Sequence, residues 1–337
     1  MPELRLDPLS GLRTIVAGER AGRPGGEFEV EPRPPVDADG DPFLEGHEDR
    51  TPPEVYALRP GGGEPDSPGW LVRVVPNLYP ALGDGDAESA TPPDPLAEGR
   101  GHPELFSARP AVGAHEVIVN TPQPHGSLAE LDVEQLETAM GVWRERMRHH
   151  GGDCEYVHVI VNEGREAGAS LPHTHAQLYA LGFVPGAIAR ERERFTAWYE
   201  RTQGRNLVED LVQEEVRLRE RIVAIDDEAV ALCPYAARVP FQLQIVPRRP
   251  VARFEDDGPL AAALLLDSLH RLEAVLGALP PFNLWVRTAP RGTTSFCWRI
   301  DLLPRLAHLA GLELGAGLNL NIVPPEVAAQ RLRDASV

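Results

Sequence analysis

The stretch Ser170-Leu-Pro-His-Thr-His-Ala-Gln-Leu-Tyr-Ala-Leu181 sets His173, His175 and Gln177 on alternate positions. Alternation is the period of an extended strand, so these three side chains project from one face while Thr174, Ala176 and Leu178 project from the other. One face is polar and chemically able. An H-x-H pair can hold a metal, supply a nucleophile with a helper, or hydrogen-bond inside a core, and the rest of the chain has to decide among these.

Working outward, residues 156–162 read as a strand, 163–170 as a glycine-bearing loop and the His173 row as a further strand. Upstream, 116–120 reads as a strand and 132–150 as an amphipathic helix, with Asp132 as N-cap, Gln135 in the capping-box position and Gly151 just past the end. The same order recurs: strand 241–247, helix 259–276, strand 283–287, a loop through 290–294 and strand 296–303. Aligning Val119 with Val246, Val159 with Trp285 and His175 with Arg299 gives nearly constant offsets of about 125 residues, the trace a duplicated domain leaves. The expected class is α+β, with two halves, 1–184 and 185–337. The His173, His175, Gln177 row of the first copy faces Cys297, Arg299 and Asp301 in the second, so the first half reads as catalytic and the second as supportive. Between them, 186–222 reads as a charged helical hairpin. The first hundred residues, rich in Pro, Gly and Asp, read as long loops around short strands, among them the apolar segment 70–76.

Composition narrows the chemistry. The chain has 337 residues, 42% of them hydrophobic, enough to bury a large core. Its formal charge of −18 argues against a nucleic-acid surface, which needs a basic stripe. All 33 basic residues are arginine, so Schiff-base catalysis and a P-loop lysine are excluded, and arginine is the only permanent cation available to a phosphate. Cys154, Cys233 and Cys297 are far apart, which argues against a disulfide framework or a cysteine zinc module. The apolar runs are too short to span a bilayer, and the N-terminus lacks a basic segment followed by an apolar one. A cytoplasmic protein without membrane partners is therefore expected.

The segment Asn162-Glu-Gly-Arg-Glu-Ala-Gly168-Ala-Ser170-Leu-Pro-His173-Thr-His175-Ala-Gln177 closely resembles the active-site motif of the galactose-1-phosphate uridylyltransferases, in the histidine-triad superfamily. Weaker matches fall in family order. Asp7-Pro-Leu-Ser-Gly11 with Glu19-Arg20-Ala-Gly-Arg23-Pro24 is similar to the opening strand and its arginine-bearing turn. Asn77-Leu-Tyr-Pro80 is similar to the nucleotide-contacting asparagine segment, and the region from Leu303 to Glu326 resembles the sugar-phosphate-binding tail. The resemblance implies two tandem histidine-triad-like halves, each an antiparallel sheet with packed helices. It implies His175 as a nucleophile that carries a nucleoside monophosphate between a nucleotide sugar and a sugar 1-phosphate, with Gln177 donating to the phosphoryl oxygens. It further implies Arg20, Arg23, Asn77, Asn162, Gly168 and Ser170 as nucleotide or phosphate contacts, and a homodimer in which Glu313 and Asn319 complete the sugar-phosphate site.

The metal positions depart from that pattern. The resemblance puts zinc ligands at Asp41, Leu44, His125 and His173, where the first two are usually cysteines, and a second metal at Glu191, Arg287, Cys297 and Arg299, where histidine is expected at the last three. Leucine cannot bind zinc, and two arginines repel a cation. No cofactor is expected; zinc is the one candidate, and its ligand set is incomplete. The first cavity is expected to fill with apolar atoms around Leu44, and Glu191 to pair with Arg287 and Arg299 in place of a metal crosslink. Three functions remain open: the uridylyltransferase exchange, a nucleotide-sugar phosphorylase or nucleotide hydrolase using the same histidine, and a nucleotide-binding protein without turnover.

Overall fold

Valine and isoleucine crowd the segments on either side of the histidine row, and their branched side chains suit a half-buried pleated surface. The computed structural model of the chain describes all residues except 23–27, 84, 86–91, 93–104, 257 and 337. In chain order the elements are β1 (Glu3–Leu6), β2 (Arg13–Val16), β3 (Tyr56–Leu58), β4 (Val72–Pro76), β5 (Gly113–Val119), α1 (Val133–Gly151), β6 (Tyr156–Glu163), β7 (His175–Leu181), α2 (Gly186–Arg201) and α3 (Leu207–Leu218). There follow β8 (Ile222–Ile225), β9 (Ala229–Leu232), β10 (Leu243–Pro247), α4 (Ala262–Leu276), β11 (Phe282–Arg287), β12 (Arg299–Pro304), α5 (Gly311–Ala316), β13 (Leu318–Asn321) and α6 (Pro325–Asp334).

Ten strands form one antiparallel sheet in the order β3-β4-β5-β7-β6-β11-β12-β10-β9-β8. Read outward from the β6–β11 seam, the order is the same on both sides: β7, β5, β4, β3 on one and β12, β10, β9, β8 on the other. Helices α1 and α4 follow β5 and β10 at matching points. The fold is therefore α+β, two histidine-triad-like halves fused through one sheet. A second, three-stranded sheet pairs β1 with β2 and β2 with β13 in parallel, so residues from both ends of the chain meet.

The register decides which side chains are usable. Ala176 and Leu178 on β7 are fully buried in the core beneath α1, together with Val159 and Val161 of β6. Val159, Val161 and Leu178 each contribute about 1.5–3 kcal/mol of burial, which locks the alternate residues onto the opposite face because a one-residue slip would expose them all. The regular strand begins at His175, so His173 precedes it.

Helix α1 starts at Asp132, whose carboxylate accepts from the Gln135 N–H at 2.7 Å. The capping box is not completed, because the Gln135 amide donates to the carbonyls of Leu71 and Asn120 instead and ties the helix start to the sheet. Gly151 is the last helical residue and Gly152 the cap. The hairpin α2–α3 forms where charge was read, yet α2 buries Ile188, Glu191 and Phe195 and so is more than a solvated connector. No helix among the described residues is long and apolar enough to cross a membrane.

Candidate active site

His175 is buried on β7, opposite Val119 of β5. Its Nδ1 lies 2.7 Å from the carbonyl oxygen of His173. A carbonyl only accepts, so Nδ1 carries the proton and Nε2 keeps its lone pair. Burial lowers the pKa of the ring below the ordinary imidazole value, against the opposing pull of the His173 carbonyl, and so favours the neutral form. The result is a neutral imidazole with its tautomer fixed by backbone.

Two residues along the same face, Gln177 has its carboxamide oxygen between two donors. Tyr179 Oη donates to Gln177 Oε1 at 3.0 Å, and His115 Nε2 lies 3.1 Å from the same atom. The tautomer of His115 follows from its other nitrogen, which accepts the Ala81 N–H at 3.1 Å and leaves the proton on Nε2. Burial lowers the pKa of His115 as well. With its oxygen taken, Gln177 presents its NH2 group as the free end. His115 and Tyr179 are directly opposed across β5 and β7, and their rings stack at 4.1 Å. Neither was singled out from sequence, although the alternation 173, 175, 177 runs on to 179.

The structure gathers some of the expected residues and separates others. Asn77 follows β4 and reaches the same cluster, its Nδ2 lying 3.2 Å from His115 Nε2. Asn162 shares the face of Gln177 and holds the Asn283 amide at 2.8 Å. Gly168 ends the loop turn with φ of 90°, in left-handed space, and Gly164 has φ of 84°, where an added Cβ would meet Pro281 at 2.7 Å. That loop is not an open row of donors: the N–H groups of Ala167, Gly168 and Ala169 are spent on carbonyls within it. Ser170 is exposed and lines a cleft of about 950 Å³ together with Arg33, Gly164 and Arg165. Arg20 lies in the turn Gly18–Gly22 after β2, outside the large sheet, and Arg23 lies outside the described residues. Glu313 on α5 accepts the Ala310 N–H, and Asn319 on β13 reaches the Arg13 carbonyl, so both belong to the three-stranded sheet region.

The residues at the first metal position do not fit a metal. His173 is fully buried with Nδ1 at 2.6 Å from Asp41 Oδ2 and Nε2 at 2.9 Å from the Thr121 carbonyl, which leaves no ring lone pair for a cation. Burial alone would raise the Asp41 carboxyl, but the hydrogen bond and charge of His173 outweigh it and hold it below the usual range. His125 is occupied by Gln123 and Glu130. The apolar filler is Phe43 and not Leu44, because Phe43 turns its ring against His173 and His175 at 6.2 and 5.2 Å, while Leu44 is only half-buried.

At the second position Arg299 Nη2 contacts both oxygens of Glu191 at 3.0 and 2.9 Å, and Arg287 Nε lies 3.6 Å from the same carboxylate. Burial pushes the Cys297 thiol up to about 12, so it is no thiolate ligand. No group of three potential ligands is arranged for a metal among the described residues.

Comparison with known proteins places the chain. Residues 72–185 match the family model described as galactose-1-phosphate uridyl transferase, N-terminal domain. A galactose-1-phosphate uridylyltransferase of Haemophilus influenzae is 30% identical over 246 residues, 69% of this chain and 70% of that protein. An ADP-glucose phosphorylase of Arabidopsis thaliana is 27% identical over 351 residues, covering 100% of this chain and 93% of the relative. The crystal structure of an Arabidopsis thaliana ADP-glucose phosphorylase with bound ADP-glucose superposes with a TM-score of 0.81 at 25% identity, over the whole of both chains.

Proposed function

Because the chain belongs to the galactose-1-phosphate uridylyltransferase family, we propose that it moves a nucleoside monophosphate from a nucleotide sugar to a sugar 1-phosphate through a nucleotidyl-histidine at His175. The observation that carries this reading is the 2.7 Å contact from His175 Nδ1 to the His173 carbonyl, which aims a neutral Nε2 lone pair away from the backbone. In the first step Nε2 attacks the α-phosphorus, an N–P bond forms, and the P–O bond to the sugar 1-phosphate breaks, the leaving group taking the electron pair. The positive charge that appears on the ring is stabilised by the Nδ1–H bond to the carbonyl. In the second step a phosphate oxygen of the acceptor attacks phosphorus and the N–P electrons return to the imidazole. The free NH2 of Gln177 donates to a phosphoryl oxygen in both steps, and phosphoryl transfer depends mainly on such positioning. No step passes through a metal.

The division at 184/185 assigns this chemistry to the first half, and Asn77, Asn162 and Ser170 to the nucleotide and its phosphates. Arg20, Arg23, Glu313 and Asn319 are assigned to substrate only through family likeness. Helix α5 buries none of its residues and exposes Leu312 and Leu314, which supports a homodimer completed through that segment.

A second reading changes the acceptor to inorganic phosphate, favoured by the full-length likeness to the ADP-glucose phosphorylase. Initial rates with both substrates varied test the shared mechanism: parallel lines are expected, because the first product leaves before the acceptor enters, whereas intersecting lines contradict a covalent intermediate. The acceptor that discharges the intermediate, glucose 1-phosphate or inorganic phosphate, separates the two readings.

A further inference from the structure

Six buried side-chain nitrogen or oxygen atoms lack a hydrogen-bond partner among the described residues, and four of them, Tyr156 Oη, His158 Nδ1, Arg287 Nε and Arg299 Nη1, belong to the three adjacent strands β6, β11 and β12. Arg287 directly opposes Arg299, and the β6–β11 register continues to His158 beside Arg287, so these groups share one face of the sheet. It is the face that carries Gln177 in the first half, since Gln177 opposes Ile160, Ile160 opposes Trp285 and Trp285 opposes Asp301. Two of the four, Arg287 Nε and Arg299 Nη1, are permanent donors, and buried donors are rarely left unpaired, so this pair marks a missing acceptor.

A cleft of about 70 Å³ opens at Arg287 and Arg299, with Arg190, Arg238, Glu191 and Asp301 also in its wall. The acids are already satisfied. Asp301 accepts from Gln244 at 2.7 Å, Trp285 Nε1 at 2.9 Å and Arg299 Nε at 3.2 Å, and both oxygens of Glu191 are held by Arg299 Nη2. Asp7, also in the wall, accepts the N–H groups of Leu9 and Ser10. The unspent charged groups in the cleft wall are guanidinium donors. Arg299 keeps Nη1, Arg287 Nε is too far from Glu191 and Asp301 for a hydrogen bond, and Arg238 makes no ion pair among the described residues. Arg238 and Arg287 both lie over the Trp285 ring, at 5.5 and 5.3 Å, so one indole holds two like charges. Burial lowers the pKa of Arg238 and Arg287 adds to that, together outweighing the opposing pull of Asp301, Asp7 and Glu191.

We propose that this cleft binds a small tetrahedral oxyanion of the phosphate or sulfate class, at the place where the first half carries His175 and Gln177. The volume admits about two waters or one such ion and excludes a nucleotide. Planar guanidinium forks match oxyanion geometry, whereas a metal cation would face permanent positive charge. The site does not depend on the nucleotidyl-histidine reading.

Calorimetric titration of the full chain with inorganic sulfate, at ionic strength held constant with sodium chloride, tests it. One saturable site is expected, weakened about tenfold in Arg238→Gln and about threefold in the exposed Arg190→Gln, and within twofold of wild type in Gln177→Ala. Arg190→Gln keeps the test decisive if Arg238→Gln disturbs folding. Absence of saturable binding overturns the proposal, as does binding that Gln177→Ala removes and both arginine variants retain.

Discussion

At the residue scale two side chains, His175 and Gln177, have free ends defined by what their other ends hold. His175 gives Nδ1–H to a carbonyl and keeps Nε2; Gln177 gives its oxygen to Tyr179 and His115 and keeps its NH2. If Gln177 contacts the phosphoryl group as proposed, His115 and Tyr179 are its positioning residues. In Tyr179→Phe and His115→Phe the carboxamide is free to rotate, and kcat is expected to fall by about tenfold to a hundredfold with KM little changed, by steady-state kinetics. In a Gln177→Ala background either substitution should have almost no further effect, and a persisting loss would show that they act by another route. The row of His173, His175 and Gln177 was legible because its period is local. His115 was not, because it enters through the β5–β7 register, which pairs residues sixty positions apart. The same holds for Phe43, which takes the place expected for Leu44 only because the loop around Asp41 folds back on His173.

At the element scale, one buried acid adds a charged link between helix α1 and the sheet. Glu116 on β5 accepts from Arg146 Nε at 2.9 Å and Nη2 at 2.5 Å, and lies 2.9 Å from His150 Nε2. Burial alone would raise its carboxyl, but His150 and Arg146 outweigh it and pull it down to about 2, from 4.5. A depressed acid stabilises the fold at every pH above its unfolded value and loses that contribution as pH falls towards the folded value. Stability from denaturant titration should thus decline between pH 4.5 and 2, by on the order of 3 kcal/mol from this group. Glu116→Gln should lack that component while being less stable at neutral pH; an unchanged acid limb would rule the coupling out. Helix α1 and its Asp132 cap follow from sequence since caps and periodicity are read within a few residues. The diverted Gln135 amide does not, because its partners Leu71 and Asn120 come from other strands.

At the scale of the whole molecule, a repeat of about 125 residues becomes one ten-stranded sheet with matching strand order on either side of the β6–β11 seam. The repeat was visible as an offset, while the fusion of the halves was not, since no local signal tells which edges of two similar sheets will meet. Where the family resemblance implies metals, this chain has the Asp41–His173 hydrogen bond and the Glu191–Arg299 ion pair, which crosslink the same segments. Protein purified without added metal should contain well under one equivalent of zinc or iron by elemental analysis, and prolonged chelation should change neither melting temperature nor turnover; stoichiometric zinc would contradict this. In the proposed reaction His175 carries the nucleotide. This role is tested most directly by incubating the protein with UDP-glucose or ADP-glucose labelled in the α-phosphate, quenching without acid and mapping the label by peptide mass spectrometry. An acid-labile nucleoside monophosphate is expected on Nε2 of His175, absent from a folded His175→Ala protein; label elsewhere, or normal turnover by His175→Ala, would overturn this role.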